Sequence, residues 1–212
     1  TLQIAAGIGY MQEYPYERML RDARINLIFE GTNEILRAFI ALSGMQGPGK
    51  ELADVAKALR GPIKGFGLLR DFAVRKVRSA LTTERFSRVH PLLSREAVVV
   101  EENTAHLARH VGNTLRRHGR DIALMQFVQR RIADVAIDVY AISACLSRTT
   151  QAVEKLGTEG AWRQIEYTHV FAAEAQKRLQ QNVASFEDND DELRKLCAVR
   201  TYEDGKYALD VL

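Results

Sequence analysis

The feature that most constrains this chain is a seam of apolar positions in its second half. Val128, Ile132, Val135, Val139, Ile142, Leu146, Thr149 and Val153 follow one another in alternating steps of four and three. A helix turning about 100° per residue keeps such positions on one stripe, whereas a strand requires alternation at every second residue. The seam predicts a long helix packed lengthwise on others, as in a bundle or coiled coil. Its partner is either the rest of the same domain or, in part, a second subunit. Four prolines in 212 residues, and no clear alternating run elsewhere, extend the helical reading to the whole chain. The predicted fold class is all-α, a helical bundle.

Other elements follow from local signals. Met19, Leu20, Ile25 and Ile28 recur at helical spacing and predict a helix over 17–28, broken at Glu30-Gly31. Thr32 is placed to cap the next helix, its hydroxyl accepting from an orphan N–H of the first turn. Ile35, Leu36, Phe39, Ile40 and Ser43 form that helix's apolar face. GMQGPGK (44–50) reads as a loop, ELADVAKALR as a short helix, and Gly61-Pro62 as its stop. A long helix opened by Pro91 and Ser94 turns Val100, Leu107, Val111 and Leu115 inward. It ends on Arg116, Arg117 and His118, which suit a negative helix terminus, with Gly119 beyond. A further helix over 161–183 carries Trp162, Ile165, Ala172 and Leu179, and the acidic 187–192 reads as a solvated turn before a last short helix. The resulting organisation is 1–60, a connecting segment 61–90, and a helical domain 91–212.

Several function classes drop out. A formal charge of +3 gives no reason to invoke nucleic acid. No apolar run is long enough to span a bilayer. Cys145 and Cys197 form no metal or redox spacing and read as free thiols, Cys145 among core neighbours. Glu102, His106 and His110 share a helix face, but without a further ligand this reads as a polar surface, and no metal is assigned. Gly7-x-Gly9 falls short of a dinucleotide fingerprint. The segment 64–88 carries seven basic residues against Asp71 and Glu84. Leu69, Phe72, Ala73 and Val77 lie to one side, with Arg70, Arg75, Lys76 and Arg78 mostly on the other. It reads as a solvated face or as a helix lying on anionic lipid. The chain opens on Thr1 in apolar text, which suggests a C-terminal portion.

Glu30 poses the functional question, since it stands directly behind Ile28 and Phe29 and directly before a helix start. A ligand closing over it would strip its water and make it a stronger base. The helix start pulls the other way and keeps it ionised at rest. That pairing suits abstraction of a carbon-bound proton. Spacing alone favours a Glu that merely caps the next helix.

Three motifs occur in order: Gln3-Ile4-Ala5-Ala6-Gly7-Ile8-Gly9, Glu17-Arg18-Met19-Leu20-Arg21-Asp22 and Glu30-Gly31-Thr32. Together they resemble the C-terminal signature of the acyl-CoA dehydrogenases, flavoenzymes that oxidise acyl-CoA thioesters. VHPLLS and QRRIADVAIDVYAISACLSR resemble the added helical domain of that family's very-long-chain branch. The resemblance implies the end of the family's base-bearing helical domain followed by a second helical domain. It implies Glu30 as the base removing the α-proton, with FAD taking the β-hydrogen as hydride, in fatty acid β-oxidation. Gly31 then lets substrate approach, Thr32, Asn33 and Glu34 contact FAD, and Gln3, Ile4, Ala5, Ala6 and Gly7 reach the FAD of a neighbouring subunit in a homodimer. The backbone N–H of Glu30 is one donor to the thioester carbonyl. Ala6 stands where the family has the first glycine of a pair, where a methyl could crowd the nucleotide. Electron-transfer flavoprotein is the implied acceptor. The implied location is the cytoplasm in a bacterium, or the mitochondrial matrix or inner membrane in a eukaryote. With the family's upstream domains missing, these residues alone should not turn over substrate. One relative in this branch acts mainly as an assembly scaffold for respiratory complex I, which leaves a protein-binding role as the alternative.

Overall fold

The computed structural model describes residues 1–60, 67–68, 70–71, 73–74 and 85–206. Most of the basic stretch read as a lipid-facing helix lies outside them. The described residues form seven α-helices joined by short 3-10 turns, without strands, as the spacing predicts. In chain order these are α1 (Ala6–Tyr10), α2 (Tyr16–Arg24), α3 (Asn33–Arg60), α4 (Ser94–His118), α5 (Gln126–Gly160), α6 (Trp162–Ala184) and α7 (Asp191–Asp204).

The seam becomes α5, which lies along α3, α4 and α6. Val135, Ile142 and Leu146 are fully buried and meet Leu93, Val100, Ala172, Ala175 and Leu179 in one core. The chain's own helices therefore fill the seam. A second cluster joins Ala41 and Met45 of α3 to Ile122, Ile132 and Ala133. Not all of the seam is apolar. Thr149 and Thr168 are buried and satisfy one another across α5 and α6, their hydroxyls 2.7 Å apart. Arg178 forks onto Asp138 across the same pair of helices at 2.7 and 3.2 Å. Arg131 and Asp191, both largely buried, form a bidentate pair at 2.6 Å that ties the start of α7 to α5.

Two boundaries depart from the sequence reading. The expected loop at 44–50 is helical, and α3 runs through Pro48 without a break. Proline in a helix interior forfeits one backbone bond and crowds the carbonyl four residues back, here that of Gly44. Burial of Ala41 and Met45 against α5 outweighs that local cost, so packing overrides propensity. The helix expected over 17–28 ends at Arg24 and tightens into a 3-10 turn at Ile25–Leu27, where Ile28 and Phe29 both donate to the Ile25 carbonyl. Trp162 is half exposed with the Arg163 guanidinium over its ring. α4 ends as expected, at Gly119 with φ 54° and its N–H on the Leu115 carbonyl.

Candidate functional site

The stretch from Ile25 to Arg37 is built by a turn that reverses the chain between α2 and α3. Glu30 and Gly31 both take positive φ, 55° and 98°. For glycine this costs little; for glutamate the left-handed conformation stores about 1 kcal/mol of strain. A strained residue is kept where its side chain must point one way. Glu30 is exposed, and on either side of it along the chain Ile28, Phe29, Ile35 and Phe39 are exposed apolar side chains.

Thr32 caps α3 as its position predicts: its hydroxyl accepts from the Ile35 N–H at 3.4 Å, and its carbonyl from Leu36 at 2.9 Å. Glu34 folds back on the same helix start. Bonds from its own N–H and from the Thr32 hydroxyl hold its carboxyl below the usual range, with Arg37 and Arg130 adding charge. These two side chains occupy the Glu34 and Ile35 donors. The Asn33 N–H is left without an acceptor among the described residues. A free donor at a helix start, beside an exposed apolar shelf, is a fit for a phosphorylated, ring-bearing ligand.

Arg37 is the residue that the sequence reading missed. Its Nη1 donates to the Asn33 carbonyl at 3.2 Å, and its Nε donates to Asp134 of α5 at 2.6 Å. The second carboxylate oxygen of Asp134 faces Arg130 at 3.5 Å. The partners Arg37 and Asp134 stand 97 positions apart, so no local pattern could have revealed them.

The first motif forms a separate corner. Gln3, Ile4, Ala6 and Gly7 are exposed, Ile4 almost completely, and Ala5 is half buried. Among the described residues no hydrogen bond or ion pair joins this corner to Glu30–Glu34. Ala6 takes φ 51°, a conformation that favours glycine. Gly9 is buried, and a Cβ there would collide with the Leu2 carbonyl. Between the corners, Arg21 is forked onto Glu17 at 2.8 and 3.2 Å, one turn apart on α2.

The other candidate clusters hold no such geometry. Among the described residues no three His, Cys, Asp or Glu side chains converge as metal ligands. His110 instead stacks on Phe186, with ring centroids 4.3 Å apart, and burial lowers its pKa. Cys145 is half buried and Cys197 exposed. No described helix is long and apolar enough to cross a membrane.

The bundle decides the family. Residues 91–201, more than half the chain, match the model described as ACAD9/ACADV, C-terminal domain. The chain belongs to the acyl-CoA dehydrogenases, in the very-long-chain branch. Residues 1–45 match the acyl-CoA dehydrogenase C-terminal domain, which places all three short motifs inside a dehydrogenase segment. The mitochondrial very long-chain specific acyl-CoA dehydrogenases of rat and human are 38% and 36% identical over 194 residues, 89% of this chain and 29% of theirs. A probable acyl-CoA dehydrogenase of Bacillus subtilis is 30% identical over 203 residues, 94% of this chain and 32% of its own. Among solved structures, an acyl-CoA dehydrogenase complexed with FAD from Bacillus anthracis superposes with a TM-score of 0.66. It is 28% identical and covers 93% of this chain and 31% of its own. The chain thus spans about a third of the length of the dehydrogenases it matches.

Proposed function

We propose that this chain supplies the base-bearing C-terminal part of an FAD-dependent dehydrogenase of long- or very-long-chain acyl-CoA thioesters. One observation carries the reading. Glu30 sits on a strained turn, flanked along the chain by uncovered apolar side chains and followed at once by a capped helix start. A carboxylate so placed is hydrated and ionised when the shelf is open, and dry when an acyl chain and the remaining two-thirds of such an enzyme cover it. Desolvation then favours proton uptake. Glu30 takes the α-proton, and the electron pair left on carbon is delocalised into the thioester carbonyl, which needs hydrogen-bond donors as charge grows. Its own backbone N–H is one such donor. FAD, when bound, supplies acceptance of the β-hydrogen with two electrons, so the product is the trans-2-enoyl thioester.

The remaining assignments follow the same logic. Gly31, with no Cβ, leaves room for the substrate. Thr32, Asn33 and Glu34 hold the FAD through the helix start, where the Asn33 N–H is unspent. The exposed corner Gln3, Ile4, Ala5, Ala6 and Gly7 is free to meet a cofactor on a second copy of the enzyme, in a homodimer. Residues 1–60 complete the catalytic module, 61–90 connect, and 91–212 form the added helical domain. Electrons pass on to electron-transfer flavoprotein. The rat and human relatives are named mitochondrial; in a bacterium the cytoplasm is the corresponding place, with 64–88 touching the membrane surface. The relatives' dehydrogenase names favour catalysis over a scaffold role. Replacing Glu30 by Gln in the intact enzyme should lower dye-linked acyl-CoA oxidation by about 10²- to 10⁴-fold. Oxidation at the parental rate would remove Glu30 from the reaction.

A further inference from the structure

We propose that Asp134, on the helical domain, is a positioning residue for the Glu30 site and acts through Arg37. The inference rests on the dehydrogenase reading above. It starts from the way α3 is held. Glu30 and Gly31 form a turn in the left-handed region, and the direction that turn takes is set by the helix it feeds. On the upstream side Ile25–Phe29 are exposed, and among the described residues no hydrogen bond ties them to the bundle. On the downstream side, the apolar grip of the bundle on α3 begins at Ala41, more than two turns beyond the helix start. Arg37 is the first α3 residue bonded to α5, and its partner is Asp134, at 2.6 Å.

The same guanidinium folds back one turn and caps the Asn33 carbonyl at 3.2 Å. It therefore stands at the positive end of α3, where a cation is unfavourable by itself. Arg130 lies 3.5 Å from the other oxygen of Asp134 and adds like charge. Asp134 is the hydrogen-bonded counter-charge of this arrangement, while the Glu34 carboxylate acts on both guanidinium groups only through space. Removal of Asp134 leaves Arg37 with Glu34 alone to offset a positive helix end and a positive neighbour, and breaks its bond to α5. The first turn of α3 then loses its tie to the bundle and frays. Both side chains are 20–31% exposed, so the pair is partly screened and its stability contribution is small. Its effect falls on the placement of Thr32 to Glu34 and of the base two residues before them. A misplacement of a fraction of an ångström at a reacting group is felt in turnover more than in folding.

The test uses the intact FAD-loaded dehydrogenase carrying Asp134→Ala, Asp134→Asn, Asp134→Glu, Arg37→Met and the Arg37→Met/Asp134→Ala pair. Coupling through such a strut predicts that Asp134→Ala lowers kcat by about fivefold with KM nearly unchanged. FAD affinity, read by flavin fluorescence on the same preparations without substrate, should fall several-fold. The double variant should be no worse than either single change, and Asp134→Glu should recover most of the loss. Asp134→Asn, isosteric and uncharged, gives the same readouts if the alanine variant does not fold. Parental kcat and FAD affinity in both Asp134→Ala and Asp134→Asn would overturn the proposal, as would additive losses in the double variant. Glu30→Gln beside them separates the two ideas: if it oxidises normally the base assignment falls, while the flavin readout still judges Asp134.

Discussion

Two regions of this chain carry large apolar side chains and treat them in opposite ways. Between Leu93 and Leu179, the side chains of Leu93, Val135, Ile142, Leu146 and Leu179 lose all contact with solvent. Between Ile4 and Phe39, by contrast, Ile4, Tyr10, Met19, Ile28, Phe29, Ile35 and Phe39 each keep about half or more of their surface exposed. Helical periodicity is present in both regions, so periodicity does not explain the difference. Partners do. α5 has α3, α4 and α6 within reach along its length, while α1 packs on α2 and α2 on the 3-10 turn that follows it. An apolar face this extensive marks a surface made to be covered. The bundle is a finished core, and the region around Glu30 is, on the proposed function, one wall of a site.

The comparison can be sharpened first where the effect is largest. Leu146→Ala should cost about 3 kcal/mol in denaturant titration, because a fully buried leucine leaves a cavity that a four-helix contact cannot close. Phe39→Ala, at 67% exposure, should change the stability of this chain by less than about 0.5 kcal/mol. Equal losses at the two positions would erase the distinction between finished core and open wall.

A smaller effect is expected in the open wall itself. Ala6 holds φ 51°, so Ala6→Gly should stabilise by about 1 kcal/mol. A lower melting temperature in that variant would mean that the methyl packs usefully. The smallest effect belongs to the half-buried edge of the bundle, at His110. Burial holds the His110 pKa below its ordinary 6.5, so the unfolded chain takes up the proton first as pH falls. The stability present above that value is therefore lost as pH drops from 6.5 through the lower folded-state pKa. His110→Phe, which keeps the stack on Phe186, should slightly flatten the fall of stability below pH 6.5, solvent screening keeping the effect small. An unchanged slope would assign the acid sensitivity elsewhere.

The bundle was legible because steps of four and three leave a trace that needs no partner to be read. The Thr32 cap and the Gly119 stop were legible because each is a local hydrogen-bond problem with few solutions. The passage of α3 through Pro48 was not, since its compensation comes from Ala41 and Met45 meeting α5, distant in sequence. Buried Thr149 and Thr168 satisfy each other across two helices, and Arg37 finds Asp134 across the chain. Such polar ties carry no period. Within the site, the residue types of 30–34 were readable, whereas the positive φ of Glu30 and the spent N–H groups of Glu34 and Ile35 belong to the folded turn alone.

The most direct measurement follows hydrogen on the carbon next to the thioester carbonyl. Intact enzyme, held anaerobically with an acyl-CoA in deuterated water, should wash deuterium into that position. Glu30→Gln with its flavin still bound should slow the exchange by about 10²-fold or more. Exchange at the parental rate in that variant would show that another group takes the proton.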